Sequence, residues 1–396
     1  VFGCSSKTTP IPTHRALLDE LTSSFRKWAT ATPTWANLVD LTSHCTYFEE
    51  LFTTPSTRHT KTPLSSDLAQ VKAELGPYVV CPIDKDNGST WVECPCAYHQ
   101  RLLDLYKIDN VYYELATTTN SKIRKSYIDL IDTYSNKFTW TKAPTTKGNI
   151  PYGYALPKLK DLHNKSRPIV SYSAHPCKYI LRAAARSLWF ILQTLQEAGH
   201  SHSWTLFDLH SFPQWAHRNH TTPHSKFFLG DVKNMYTSLP HKQNEEAIDW
   251  AIAMAKKHIP NINLGVNSQT AKTAHGPPKI GHKAKQVGTA HWPHLHLQDI
   301  EDILKWDLKN IFFTVGDATL RQKNGIPMGS PSSPALATLL CMHAEHNFHC
   351  THGVEYIKQN VVGHRYIDDV FALTLDPDFD MALIPSIYPS PMDLEE

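Results

Sequence analysis

The chain has 396 residues, of which 41% are hydrophobic and 19% charged, which excludes a disordered or fibrous protein and leaves room for two or three domains with a sizeable core. Its formal net charge is +2, so any nucleic-acid contact must rest on local basic patches and not on overall charge. Eight scattered cysteines exclude a disulfide-stapled secreted domain, and no apolar run reaches the roughly 20 residues that span a bilayer.

In chain order, residues 1–60 predict a helical extension, with Thr13 as cap and Leu17, Leu21, Phe25 and Trp28 as its apolar face. The polar stretch TTPSTRHTKTPLSS (53–66) predicts a linker, and PYVVCPIDKDNGSTWVEC predicts a hairpin turning at Asn87-Gly88. Between 150 and 190, Lys158, Lys160, Lys165, Arg167, Lys178, Arg182 and Arg186 face a single acid, Asp161. KFFLGDVKNMYTSLP (226–240) predicts a strand ending at Asp231, followed by a helix that buries Ile248, Ala251, Ile252, Ala255 and Ile259. From 260 to 298 there is no acid, and a mobile basic insertion is expected. Its Lys272, Lys279, Lys283 and Lys285 suit either phosphate-backbone contact or plain solvation. A helix at 299–310, a hairpin through Gly316-Asp317 and a Gly/Ser/Pro loop feeding a helix come next. GHRYIDDVFAL (363–373) then predicts a hairpin with strand residues on both sides of Ile367-Asp368-Asp369.

Asp231 and Asp368 both fall where an apolar strand ends, a usual place for ligand-binding groups. Carboxylates brought together from two such strands repel unless a divalent cation neutralises them. Mg²⁺ takes oxygen ligands, and two such ions can clamp the attacking and leaving oxygens of phosphoryl transfer. Tyr-x-Asp-Asp alone reads by default as a solvated turn; its meaning comes from the ordered set around it.

That set resembles reverse transcriptases, most closely the Penelope-like retroelement group, over about residues 75–375. IDKDNGSTWVE resembles the N-terminal block, LPKLKDLHNKSRPIVS the basic fingers motif and GDVKNMYTSLP the strand of the first catalytic aspartate. QKNGIPMGSPSSP resembles the nucleotide-pocket loop and RYIDDVFAL the catalytic hairpin. The resemblance implies an α+β right-hand polymerase fold with fingers over 61–225, an antiparallel palm sheet over 226–376 and a tail over 377–396. It implies an RNA-directed DNA polymerase with two Mg²⁺ ions (or Mn²⁺), an RNA template, a DNA primer and dNTP substrates, in an intracellular, nuclear setting and without a membrane. Asp231, Asp368 and the Val232 carbonyl would hold the metal, with Asp369 in support. Lys165 and Arg167 would grip the triphosphate, with Lys158 a weaker candidate. Tyr236 would exclude a ribose 2′-OH, which disfavours an RNA-templated RNA polymerase. Gly329 and Ser330 would shape the nucleotide pocket, where Met328 replaces the Gln of many relatives but fits the Penelope-like group.

Two Cys/His clusters, Cys94/Cys96/His99 and Cys341/His343/His346/His349/Cys350/His352, lack paired-ligand spacing, and packing accounts for them better than zinc. The sequence starts at Val1, as a fragment, a processed product or an incomplete gene model does. It stops before the family's primer-gripping hairpin and thumb, so an inactive retroelement relic that only binds nucleic acid is the alternative expectation.

Overall fold

The computed structural model describes residues 65–108, 112–137, 149–209, 212–213, 216, 226–233, 235–259, 264–266, 280–281, 294–388, 390–392 and 394–395. The expected N-terminal helix, the linker up to residue 64 and the four lysines of the basic insertion lie outside them. The chain divides into two compact units, Val1–Val80 with Val92–Pro95, and Cys81–Trp91 with Cys96–Glu396. In the first, the described residues form helix α1 (Ser65–Leu75) and the outer ends of strands β1 (Val79–Ile83) and β2 (Asp86–Glu93).

The β1–β2 hairpin forms as expected, but it turns at Asp84-Lys85 and not at Asn87-Gly88, which lie inside β2. Lys85 takes the left-handed turn position with φ 64°, so the glycine is not needed there. Helix α2 (Pro95–Leu105) follows, then β3 (Tyr113–Leu115) and α3 (Asn120–Tyr134), whose first turn is capped by the Thr119 hydroxyl. The basic stretch divides into a long hairpin, β4 (Tyr152–Lys158) and β5 (Asp161–Ser171), and helix α4 (Lys178–Glu197).

Strand β6 (Lys226–Val232) alternates strictly, with Phe228, Gly230 and Val232 buried and Phe227, Leu229 and Asp231 exposed. That two-residue period is what turns Asp231 outward. After the short helix α5 (Met235–Ser238), helix α6 (His241–His258) buries Ile248, Ala251, Ile252 and Ala255 as its spacing predicts, with Ala247 beside them, while Ile259, expected in the same stripe, caps the helix and is half-buried. The expected mobile insertion is in part packed. Strands β7 (Leu264–Val266), β8 (Ile280–Gly281) and β9 (His294–Leu295) make a small antiparallel sheet, and Leu264 and Leu295 are fully buried. Two leucines at strand positions supply the apolar anchor that the surrounding Lys/His/Gly composition hides.

Helix α7 (Leu297–Lys309), the hairpin β10 (Phe312–Val315)–β11 (Ala318–Gln322) and helix α8 (Ser333–His352) complete the frame. Helices α4, α6, α7 and α8 pack on one another. Along α4, Ile180, Leu181, Ala184, Leu188, Ile191, Leu192 and Leu195 form a buried stripe, each large side chain stabilising the fold by about 1.5–3 kcal/mol. Strands β12 (Val361–Tyr366) and β13 (Asp369–Thr374) pair with β6, and β14 (Leu394–Glu395) closes the far edge in the order β12-β13-β6-β14. A second sheet has the order β3-β11-β10-β4-β5. The architecture is mixed α+β with a mostly antiparallel central sheet. Residues 377–396, the expected tail, bury Phe379, Ile384, Ile387, Tyr388 and Met392 and return to the sheet as β14. No helix among the described residues is long and apolar enough to cross a membrane.

Candidate active site

The site begins with strand register. β13 runs antiparallel to β6 with Asp369 opposite Asp231, and β12 closes on β13 with Tyr366 opposite Asp369. Between them the chain turns on Ile367 and Asp368, and Ile367 has φ 57°. A β-branched residue in the left-handed region costs about 1–2 kcal/mol, so the surrounding structure must hold the turn. The Val232 N–H contributes by donating to the Asp368 carbonyl at 2.9 Å.

The result is that one carboxylate oxygen each from Asp231, Asp368 and Asp369 lies within 4.8 Å of the others. Burial and the adjacent Asp368 charge raise the Asp369 pKa, and Lys85 opposes the rise. Three crowded carboxylates form an all-oxygen donor set with excess negative charge, which fits a hard divalent cation such as Mg²⁺. They are the only such group of three among the described residues.

The other predicted residues converge by way of backbone. Gly325 N–H donates to the Leu239 carbonyl at 3.0 Å and Ile326 N–H to the Tyr236 carbonyl at 2.7 Å, joining the 323–332 loop to the segment after β6. On its other side Val170 N–H donates to the Met328 carbonyl at 2.8 Å, joining the same loop to β5. Gly329 has φ 123°, and a Cβ there would lie 2.2 Å from the Val170 carbonyl oxygen, so no other residue fits. The Tyr236 phenol is pushed up by burial and by Asp368, with Arg167 acting in opposition, which places it in the fields of both. Arg167 Nε pairs with Asp84 at 3.2 Å, while Lys165 is exposed on the same strand. Lys158 stands opposite Asp161 at the hairpin end.

Ser330 is buried, and its hydroxyl is directed to the protein: it lies 3.4 Å from Asp307 Oδ2 and 2.8 Å from the Ser332 hydroxyl. Ser332 also donates to Asp307. Burial raises the Asp307 pKa to about 6, and the two serine hydrogen bonds oppose that rise. Asp84, Asp307 and Glu345 were not singled out from sequence. For Asp307 a signal existed, since it continues the buried stripe Ile300, Ile303, Leu304 at helical spacing. Glu345 likewise interrupts the apolar course of α8 between Cys341, Met342 and Phe348.

The Cys/His cluster of α8 packs ring against ring. His346 Nδ1 accepts from the His202 N–H at 3.3 Å and its Nε2 lies 3.7 Å from Cys350 Sγ, while His349 Nε2 accepts from Trp204 Nε1 at 3.1 Å. Burial lowers the pKa of His346 and His349 to about 4 and that of His175, stacked on Tyr172, to about 3. Their folded pKa values lie below the ordinary histidine value, so their contribution to stability is complete above about pH 6.5 and is lost as pH falls towards 4. Acidification through that window is expected to lower the melting temperature by about 5 °C, and replacing His349 with Phe should shrink the loss.

No protein-family model and no curated protein matches the sequence. The fold nevertheless has solved counterparts, and they define its class: the mixed α+β arrangement is similar to that of telomerase. The telomerase from Candida albicans, in complex with a TWJ fragment of telomeric RNA, aligns with TM-score 0.54 and 12% identity over 77% of this chain and 47% of that one. The apo telomerase from Candida tropicalis gives 0.54 and 12% over 86% and 50%, and its form truncated from the C-terminal domain gives 0.52 and 13% over 91% and 62%. The chain spans about half the length of the first two.

Proposed function

We propose that this chain is the fingers-and-palm part of an RNA-directed DNA polymerase of the Penelope-like reverse-transcriptase type. The observation that carries the reading is the convergence of Asp231, Asp368 and Asp369 at the ends of paired strands. The likeness to telomerase, itself a reverse-transcriptase-like polymerase, supports it at the level of fold. In the proposed reaction the primer 3′-OH releases its proton to solvent as its oxygen bonds to the α-phosphorus of a dNTP, the bond from that phosphorus to the α,β-bridging oxygen breaks, and pyrophosphate leaves with the bonding pair. Asp231, Asp368 and the Val232 carbonyl would hold Mg²⁺, which when bound offsets the negative charge that builds on the reacting phosphate. Arg167 and Lys165 would bind the triphosphate, with Asp84 holding the Arg167 fork in place. Gly329, whose missing Cβ lets the loop close on the Val170 carbonyl, would shape the nucleotide pocket from behind, and Tyr236 would fill the space of a 2′-OH.

Extension of a DNA primer on an RNA template, with dNTPs compared against rNTPs, tests the proposal. Mg²⁺-dependent dNTP incorporation is expected. Nucleic-acid binding with no incorporation would point instead to an inactive relic. Replacing Tyr236 with Ala should raise rNTP use relative to dNTP use by about tenfold or more, since exclusion by shape is worth about 1–3 kcal/mol. An unchanged ratio would remove Tyr236 from the sugar pocket.

A further inference from the structure

The hairpin that carries Asp368 rests on an ion pair with no solvent exposure. Arg365 and Glu345 side chains are both fully buried, and every nitrogen of the guanidinium has a partner. Nε faces Glu345 Oε1, Nη2 faces the Thr205 hydroxyl, and Nη1 donates to the Ile367 carbonyl at 3.0 Å. Glu345 also accepts from the Ser203 hydroxyl at 2.7 Å, the Trp204 N–H at 2.9 Å and the Tyr388 hydroxyl at 2.9 Å. The backbone of 204–206 runs beside β12: Arg365 N–H donates to the Trp204 carbonyl at 2.6 Å, and Leu206 N–H to the Arg365 carbonyl at 2.8 Å. The Trp204 ring covers Gly363 so closely that a Cβ there would lie 2.0 Å from it.

Stability alone does not call for this arrangement, because a buried ion pair is often replaceable by apolar side chains without loss. Its direction is the informative part. The Ile367 carbonyl belongs to the peptide unit that precedes Asp368, and the Asp368 carbonyl to the unit that follows it. Arg365 holds the first and Val232 N–H holds the second, so both peptide planes flanking Asp368 are fixed. Ile367, whose carbonyl Arg365 holds, is also the residue of this turn in left-handed conformation.

From this we infer that Arg365, held by Glu345 and Thr205, is a positioning residue that sets the orientation of Asp368 in the metal-binding triad. A planar fork with fixed N–H directions does this; a lysine ammonium at the same place pairs with Glu345 but does not also serve Thr205 and Ile367. The inference rests on the metal-binding part of the proposed function and not on nucleotide incorporation.

The test is Mn²⁺ affinity of the whole chain, read by titration of the free-ion EPR signal, for wild type, Arg365→Lys and Thr205→Val, with Asp368→Asn as the marker of triad binding. Arg365→Lys is expected to weaken Mn²⁺ binding about tenfold and to raise the Mg²⁺ concentration for half-maximal incorporation by a similar factor. Thr205→Val, which leaves the ion pair intact, should give about a threefold loss. If Arg365→Lys does not fold, Thr205→Val alone decides. A lower melting temperature with unchanged Mn²⁺ affinity in the folded variants overturns the positioning role and leaves a structural one. A wild-type chain that binds Mn²⁺ through the triad yet incorporates nothing overturns the polymerase reading, and the affinity comparison still decides the role of Arg365.

Discussion

Replacement of Asp368 by Asn is expected to abolish Mg²⁺-dependent nucleotide incorporation, by about a thousandfold or more, while leaving the fold intact. Asn has nearly the same shape, and the hydrogen bond that anchors this position is made by its backbone carbonyl, so the turn persists. What changes is charge: one of three carboxylates within 4.8 Å becomes neutral. Relief of repulsion should hold the melting temperature at or slightly above wild type, which separates loss of chemistry from loss of structure. The same change at Asp369, whose pKa is already raised by burial and by Asp368, should cost less. Primer extension together with Mn²⁺ titration checks both, and full activity in the Asp368 variant would sink the site.

Gly329→Ala is expected to be the most damaging small substitution in the 323–332 loop. Two costs add there. The φ of 123° is outside the range of L-residues, and the new Cβ would meet the Val170 carbonyl oxygen at 2.2 Å. Val170 cannot yield, since its own N–H is bonded to the Met328 carbonyl and it sits in the strand that bears Arg167. We expect a loss of about 3 kcal/mol or more, or about 4 °C or more in melting temperature, with a raised KM for dNTP in what remains folded. Gly199→Ala is the control: φ is 74° but nothing lies within 4 Å, so only the backbone term of about 1 kcal/mol should appear. Equal effects in a thermal melt would show that the close approach to Val170 is not what requires glycine.

These expectations draw unequally on sequence and structure. The strand ending at Asp231, the buried stripe of α6 and the Gly316 hairpin were legible, because short-range periodicity and turn chemistry decide them, whereas the alternation that turns Asp231 outward was not, since Phe227, Phe228 and Leu229 are apolar on both faces of the strand. The turn at Lys85 was not, since a lysine in left-handed conformation leaves no local mark while Asn-Gly nearby does. The packing of Leu264 and Leu295 was hidden by distance: the two pair across a long basic stretch with no acid. The partners of the site were hardest to see. Asp84 with Arg167, Asp307 with Ser332 and Glu345 with Arg365 are contacts between segments far apart in the chain, and only the fold brings them together.

Asp307 carries one more consequence. It anchors the 323–332 loop as a buried acid whose folded pKa, about 6, lies above its ordinary value. On acidification from pH 6 the folded state gains a proton there that the unfolded chain does not take up until lower pH, so this group favours folding in acid. The buried histidines do the reverse over the same interval. Proton uptake and proton release on unfolding therefore partly cancel, and the molecule is buffered against its own titration. Its anchoring serines can reverse as donors or acceptors, so the loop keeps its tether in either protonation state.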